Sequence, residues 1–194
     1  MINLILFGPP GSGKGTQAEF IVKKEKLTHI STGDIFRKNI SQQTELGVLA
    51  SSYMKKGEYV PDKLTIQLLA HELDSFIDSR GFIFDGFPRT LNQADAFKTL
   101  LDQKRMPLSC VISLDVSDNE LVARLLSRGI DSGREDDQNE DVIRNRIQVY
   151  KNQTEVLKTY YADYLKDSFF SLNGEKSIEA ISKDIEKIII GYKN

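Results

Sequence analysis

The sequence predicts an α/β fold, a five-stranded parallel sheet flanked by helices. Three observations carry that expectation. Short apolar runs, β-branched or aromatic in character, recur at 2–7, 28–31, 81–86, 110–116 and 168–173. Stretches with apolar residues at helical spacing lie between them, an alternation that builds parallel sheets covered on both faces. Several of the runs are continuously apolar, as strands buried on both faces are.

The first run, Ile2-Asn3-Leu4-Ile5-Leu6-Phe7, leads into Gly8-Pro9-Pro10-Gly11-Ser12-Gly13-Lys14-Gly15-Thr16 and then into Gln17-Ala18-Glu19-Phe20-Ile21-Val22, which reads as a helix. Strand, glycine loop and helix together form the context of a phosphate-binding loop. Glycines let bare N–H groups approach phosphate oxygens, and a helix N-terminus adds partial positive charge. Lys14 supplies a full charge. Four glycines and a lysine in nine residues separate this stretch from an ordinary glycine-rich turn. The strict pattern has a hydroxyl directly after the lysine. Here Gly15 intervenes before Thr16, which argues against a loop hydroxyl holding Mg²⁺ directly.

Thr28-His29-Ile30-Ser31 is a short strand. Ser31-Thr32-Gly33-Asp34 follows with the spacing of a helix capping box. Residues 32–61 read as polar helices inserted between strands, ended by Gly57-Glu58-Tyr59-Val60-Pro61-Asp62, where Pro61 and Asp62 open the next helix. That helix sets Leu64, Leu68, Leu69, Leu73, Phe76 and Ile77 on one face. His29 and His71 find no metal-ligand partner in the sequence and read as structural. Gly81 to Asp85 forms a buried strand ending in an acid. In open parallel sheets ligands sit at the carboxyl ends of strands, so Asp85 is expected near the glycine loop, where a carboxylate can hold Mg²⁺ or its waters. Arg89 follows a proline and suits bidentate phosphate contact, and Gln93, one helical turn on, offers an amide for a base edge.

Cys110 to Val116 is a further buried strand. Leu121 and Leu125 mark the next helix, which also carries Arg124 and Arg128. Residues 127–137 are short, charged and glycine-containing, and read with 32–61 as surface excursions of the lid type. Asp137-Gln138-Asn139-Glu140 has capping-box spacing for a long helix with Ile143, Ile147, Tyr150, Leu157, Tyr161 and Tyr164 as its core stripe. Phe169 to Leu172 gives the last strand. Asn173 to Lys176 turns, and Ile178, Ile181, Ile185 and Ile188 mark a closing amphipathic helix. Of nine arginines, five fall between 124 and 146: Arg124, Arg128, Arg134, Arg144 and Arg146. A merely solvated segment would not prefer arginine to lysine, whereas the guanidinium fork matches phosphate oxygens.

Composition narrows the class. At 194 residues the chain fills one core. A net charge of −2 provides no global field for nucleic acid or membrane surfaces. The single cysteine, Cys110, excludes an internal disulfide and a multi-cysteine zinc site. No secretory signal or membrane-length apolar run is visible, so a reducing, cytoplasmic setting is expected.

Taken together, Gly8–Thr16 with Gln17-Ala18, Ser31-Thr32-Gly33-Asp34 with Arg37, Asp85-Gly86-Phe87-Pro88-Arg89-Thr90 with Gln93, then Arg124, Arg128, Gly133-Arg134, Asp136-Asp137 and Arg146 closely resemble the adenylate kinases over nearly the whole chain. The resemblance implies the three-layer P-loop NTPase fold: a core of 1–30, 62–126 and 138–194, a helical insert at 31–61 for the nucleoside monophosphate, and a short lid at 127–137 without the zinc-binding insert of long-lid relatives. It implies reversible transfer of the γ-phosphoryl of Mg-ATP to AMP, giving two ADP, by a monomer. Gly11, Ser12, Gly13, Lys14, Gly15, Thr16, Arg124, Arg128 and Lys176 would bind ATP. Thr32, Arg37, Glu58, Tyr59, Val60, Gly86, Phe87, Pro88, Arg89, Gln93, Arg134 and Arg146 would bind AMP, and Asp85 would organise Mg²⁺ through water. Lys14, Arg89, Arg128, Arg134 and Arg146 would be catalytic. One extra residue between Asp137 and Arg146 leaves Arg144 as the second candidate for the last phosphate contact. The competing readings are a UMP/CMP kinase, against which Thr32 and Gln93 speak, and a nucleotide-binding module without turnover.

Overall fold

The computed structural model describes residues 1–76 and 79–192. Its elements run β1 (Ile2–Phe7), α1 (Lys14–Glu25), β2 (Thr28–Ser31), α2 (Thr32–Ser41), α3 (Glu45–Met54), α4 (Asp62–Asp74), β3 (Gly81–Asp85), α5 (Leu91–Gln103), β4 (Cys110–Asp115), α6 (Asp118–Ser132), α7 (Glu140–Val149), α8 (Val156–Leu165), β5 (Phe169–Asn173) and α9 (Ile178–Ile190). The strands form one sheet in the order β2-β3-β1-β4-β5, and every pairing is parallel. The expected five-stranded parallel sheet is the observed one.

Alternation along β1 explains the two helical layers. Ile5 and Phe7 point to one face and join Phe82, Phe84, Phe87, Phe97, Leu157 and Tyr161. Leu4 and Leu6 point to the other and meet Ala18 and Ile21 of α1 with Ile181, Ile185 and Ile189 of α9. A strand buried on both sides has no polar face, which is why its sequence is apolar but for Asn3, whose buried amide is hydrogen-bonded to the Pro107 carbonyl and Phe82 N. Phe84, at the centre, meets Phe97 edge-on at 4.7 Å, and Phe97 in turn meets Phe87 at 5.3 Å. This aromatic column supports the turn that follows β3.

Two smaller clusters lie outside the main core. Phe36, Ala50 and Val60 hold α2 and α3 together above α4. At Gly47 a β-carbon would stand 2.1 Å from the Asn39 carbonyl oxygen, so only glycine lets α3 approach α2 this closely. Leu121, Val122, Leu125, Ile143 and Ile147 tie α6 to α7. No described helix is long and apolar enough to cross a membrane.

Several expectations are corrected at this level. Helix α4 ends at Asp74, so Phe76 lies beyond it and is exposed; Ile77 lies outside the described residues. Instead of one long helix after residue 139 there are two, α7 and α8, separated by a π-helical turn at Tyr150–Thr154. Tyr150 and Tyr161 are core residues as expected, but Tyr164 is largely exposed. The buried stripe of α9 is Ile181, Ile185 and Ile189, with Ile178 exposed. The segment 127–137 is largely ordered as helix, because α6 continues to Ser132 and stops at Gly133 in the left-handed conformation.

Candidate active site

The site forms where the carboxyl ends of β1 and β3 meet the N-terminus of α1. Gly8 leaves β1 with φ 139°, and a β-carbon there would stand 2.7 Å from both the Leu114 carbonyl oxygen and Ser12 Oγ. Gly13, with φ 96°, precedes α1, and among the described residues no side chain caps that helix. The loop therefore closes on its own backbone, with Ser12 N donating to the Pro9 carbonyl at 3.2 Å. The start of α1 is left open to the cleft as an anion-binding helix end. Lys14 Nζ donates to the carbonyls of Gly8 at 2.8 Å and Pro9 at 3.0 Å, which lays its charge along the loop.

A cleft of about 640 Å³ opens over this loop. All nine residues expected at an ATP site line it, from Gly11 to Thr16 with Arg124, Arg128 and Lys176. Asp85, Arg37, Tyr59, Gly86, Phe87, Pro88, Arg89, Arg134 and Arg146 also line it. A second cavity of about 60 Å³ lies beneath α2 and α3, lined by Thr32, Phe36, Met54, Glu58, Val60, Thr65 and Gln93 among others. Arg37, Tyr59, Arg89 and Arg146 border both. Arg144 borders neither: its side chain is 57% exposed and pairs with Glu140 one turn earlier at 2.6 Å.

The cations converge on one region but are held by different means. Burial pulls the Lys14 ammonium down to about 8; Asp85 works against that, and the charges of Arg89, Arg128 and Arg146 add to it. Burial likewise lowers Arg89, helped by Arg146. Arg89 Nε donates to the Gly86 carbonyl at 2.6 Å, and its guanidinium lies 4.9 Å from the centre of the Tyr59 ring. Arg124 bridges Glu120 and the Gly174 carbonyl. Lys176 pairs with Asp184 at 2.9 Å.

Asp137 is the acid that organises the far wall. It was expected as a helix cap, yet the cap of α7 is Asn139, whose side chain accepts from Asp141 N and Val142 N. Asp137 is instead fully buried. It accepts from Arg128 Nε at 2.6 Å and Nη2 at 3.1 Å, and from Arg146 Nη1 at 2.5 Å. One carboxylate thus fixes two arginines from two helices. Burial alone would raise its pKa, but Arg128 and Arg146 outweigh that and hold it below the ordinary value.

Asp34 plays a similar part across the cleft. Its backbone N donates to Ser31 Oγ at 3.3 Å, the expected cap of α2. Its carboxylate pairs with Arg37 at 2.5 Å and approaches Arg134 to 3.5 Å. The amide of Gln93, expected at a base edge, is fixed on both sides: its Oε1 accepts from Arg89 N and its Nε2 donates to Asp62 Oδ1, each at 2.7 Å. Thr32 Oγ1 donates to the Gly86 carbonyl at 2.8 Å.

Asp85 ends β3 beside the loop. Burial would raise its pKa, but the His29 imidazole and the charges of Lys14 and Arg89 prevail and keep it ionised. His29, expected to be merely structural, puts Nε2 3.4 Å from Asp85 Oδ2. The approach is close enough for the imidazole to favour the carboxylate but falls short of hydrogen-bond geometry, and the nitrogen has no other hydrogen-bond partner among the described residues. Among those residues no group of three or more His, Cys, Asp or Glu could hold a metal ion. The donor set fits a hard cation that keeps most of its water and meets one carboxylate, as Mg²⁺ does. Sequence reasoning missed Thr154 and Tyr150, which line the main cleft from the π-helical turn. Nothing in their local sequence marks that turn.

A glycine loop with its lysine, facing a second pocket across shared arginines, is built to move a charged group between two phosphorylated ligands. The architecture is that of a P-loop nucleoside monophosphate kinase, a phosphotransferase. The adenylate kinase family profile matches residues 6–166. Over 189 residues the chain is 52% identical to an adenylate kinase of Flavobacterium psychrophilum, covering 97% of this chain and 98% of the relative. An adenylate kinase of Bacteroides fragilis is 47% identical with the same coverage. One of Parabacteroides distasonis is 44% identical over the full length of both. The chain belongs to the adenylate kinase family, whose reaction is phosphoryl transfer between ATP and AMP.

Proposed function

We propose that the larger cleft receives ATP, the smaller cavity receives AMP, and the arginines bordering both hold the phosphates between them. The observation that carries this reading is the sharing of Arg37, Arg89 and Arg146 by two cavities, only one of which is lined by Lys14 and the loop glycines. The reaction breaks the bond between the γ-phosphorus and the β–γ bridging oxygen of ATP. A new bond forms to an oxygen of the AMP phosphate, and the electron pair leaves with the β-phosphate, so both products are ADP. The attacking oxygen is already anionic, so no general base is needed.

Catalysis then rests on alignment and charge neutralisation. The loop N–H groups and Lys14 hold the β- and γ-phosphates. Arg128 and Arg146, fixed by Asp137, face the transferring group, and Arg89 with Arg37 holds the acceptor phosphate. Arg134 reaches the same region from the end of α6. Bound Mg²⁺, held by Asp85 through water, would neutralise phosphate charge. Thr32, Val60 and Gln93 face the acceptor base, and Glu58, Gly86, Phe87 and Pro88 frame it. Arg124 and Lys176 stand at the donor base.

Water must be excluded, or ATP would be hydrolysed. Residues 31–61 and 127–137 serve as the two covers, and they meet through Asp34 with Arg134 and through Lys55 with Glu135 at 3.3 Å. The setting is cytoplasmic; Cys110 is free and buried, with its thiol pushed up to about 12 by burial. A coupled assay for ADP, with ATP and AMP in the presence and absence of Mg²⁺, tests the reading. ADP should form with AMP and Mg²⁺ together and fall sharply with CMP or UMP. Preference for CMP, or ATP binding without turnover, would refute it.

A further inference from the structure

The π-helical turn at Tyr150–Thr154 interrupts what is otherwise a continuous helix at the site. Such one-turn insertions redirect side chains, and they occur often at functional positions. Here the redirected side chain is Thr154, which is buried. Its hydroxyl donates to the Arg89 carbonyl at 2.7 Å and lies 2.8 Å from the Tyr59 hydroxyl. Thr154 has a single hydroxyl proton, and the Arg89 carbonyl can only accept. Tyr59 must therefore donate to Thr154 Oγ1. The Tyr59 ring in turn lies against the Arg89 guanidinium, 4.9 Å from centroid to carbon. The contacts close a loop: Thr154 holds the Arg89 backbone, Tyr59 holds the Arg89 side chain, and the two holders are bonded to each other.

We propose that Thr154 and Tyr59 are positioning residues that set the guanidinium of Arg89, acting through the π-helical turn. The inference rests on the reading of Arg89 as the acceptor-phosphate ligand. Arg89 sits on a loop between β3 and α5, where a side chain with this much rotamer freedom needs outside support. The Gly86 carbonyl fixes Nε from one direction. A ring face stabilises a partly desolvated guanidinium while leaving its in-plane donors pointed elsewhere. Tyr59 follows the two helices of the 31–61 segment, so its hydrogen bond to Thr154 joins that segment to the core on one side of the acceptor arginine, as the bond from Thr32 to the Gly86 carbonyl does on the other. Leucine at position 59 would cover the cavity equally well but would provide neither the ring face nor the hydroxyl.

The test compares Thr154→Val, Thr154→Ser, Tyr59→Phe and the Val/Phe double variant with the unsubstituted chain. Turnover is measured with AMP varied at saturating Mg-ATP and with ATP varied at saturating AMP. Thr154→Val should lower kcat/KM for AMP about tenfold, the scale of a lost buried hydrogen bond at a positioned group, with KM for ATP within twofold. Thr154→Ser should restore it. Tyr59→Phe should cost about threefold, and the double variant should be no worse than Thr154→Val, because one network is lost in each case. A second readout needs no turnover: the Arg89 Nε–H signal in ¹H–¹⁵N spectra should exchange faster with solvent in Thr154→Val. Normal AMP kinetics and an unchanged Arg89 signal in a folded Thr154→Val would overturn the inference, as would fully multiplicative effects in the double variant. Failure of the unsubstituted chain to make ADP would instead refute the function, and the Arg89 signal would still decide the positioning claim.

Discussion

Arg89, Arg146 and Arg144 show how much a single position decides. Arg144 and Arg146 are two residues apart, roughly 200° around a helix. Only one can face the cleft, and it is Arg146. Replacing Arg146 by Ala should therefore reduce kcat by about 10²- to 10³-fold, on the scale of about 2.7–4 kcal/mol for one lost transition-state donor. Arg144→Ala should stay within about twofold, as a surface ion pair contributes roughly 0–1 kcal/mol. Steady-state rates on the two variants check this, and equal losses would contradict the register. Arg89→Ala should also collapse turnover while circular dichroism and melting remain near normal.

Lys14 supplies a pH prediction. Its folded pKa of about 8 lies below the ordinary 10.5. Between those values the unfolded chain binds more protons, so this lysine's contribution to stability improves as pH rises from about 8 to 10.5, and its cost is complete below that window. A bound polyphosphate favours the charged form. ATP binding near pH 8.5 should then be accompanied by proton uptake, measured by calorimetry in buffers of differing ionisation enthalpy. Proton release, or none, would show that Lys14 does not meet the phosphates.

Element by element, the strands were legible and the helix interruptions were not. Observed strand ends fall within one residue of expectation; the central runs β1, β3 and β4 are mostly apolar and buried, whereas β2 and β5 carry polar residues and are only partly buried. Residues 137–140 misled for a definite reason. Asp at the first position and Glu at the fourth satisfy a local capping rule, but tertiary structure gives Asp137 two arginines, and Asn139 takes the cap. The π-helical turn leaves no local signal, since each of its residues tolerates a helix, so Thr154 was not seen. The loop, Asp85 and the arginines were legible because phosphate chemistry restricts residue type strongly. Removing Asp137 as Ala should cost about 2–4 kcal/mol, toward the low side for a broken buried pair because Arg128 reaches solvent. Its depressed pKa makes that stabilisation complete above the unfolded carboxyl value and lost as pH falls through the folded one. Chemical denaturation at pH 7 and pH 3 measures both, and equal Asp137→Ala penalties at the two values would contradict it. In the core, Phe97→Ala should cost about 3–5 kcal/mol by opening a cavity beside Phe84 and Phe87, with loss of turnover at lower temperature than loss of fold.

At the scale of the whole molecule, sheet topology explains why one site can draw on so many segments. With β1 central between β3 and β4, the chain passes the same end of the sheet after every strand. The glycine loop, the turn bearing Arg89 and the helix bearing Arg124 and Arg128 follow β1, β3 and β4 respectively. Lys176 follows β5, and the remaining cations come from the segments 31–61 and 127–137 and from α7. The central claim is that these groups act on a single polyphosphate held between two nucleoside pockets. The most direct test is calorimetric titration with a dinucleoside polyphosphate long enough to reach from one cavity to the other, against the unsubstituted chain and against Lys14→Ala, Arg89→Ala and Arg128→Ala. One molecule should bind per chain, more tightly than ATP or AMP alone, with each substitution weakening it at least tenfold. Two molecules bound independently, or affinity indifferent to Arg89 and Arg128, would contradict the account.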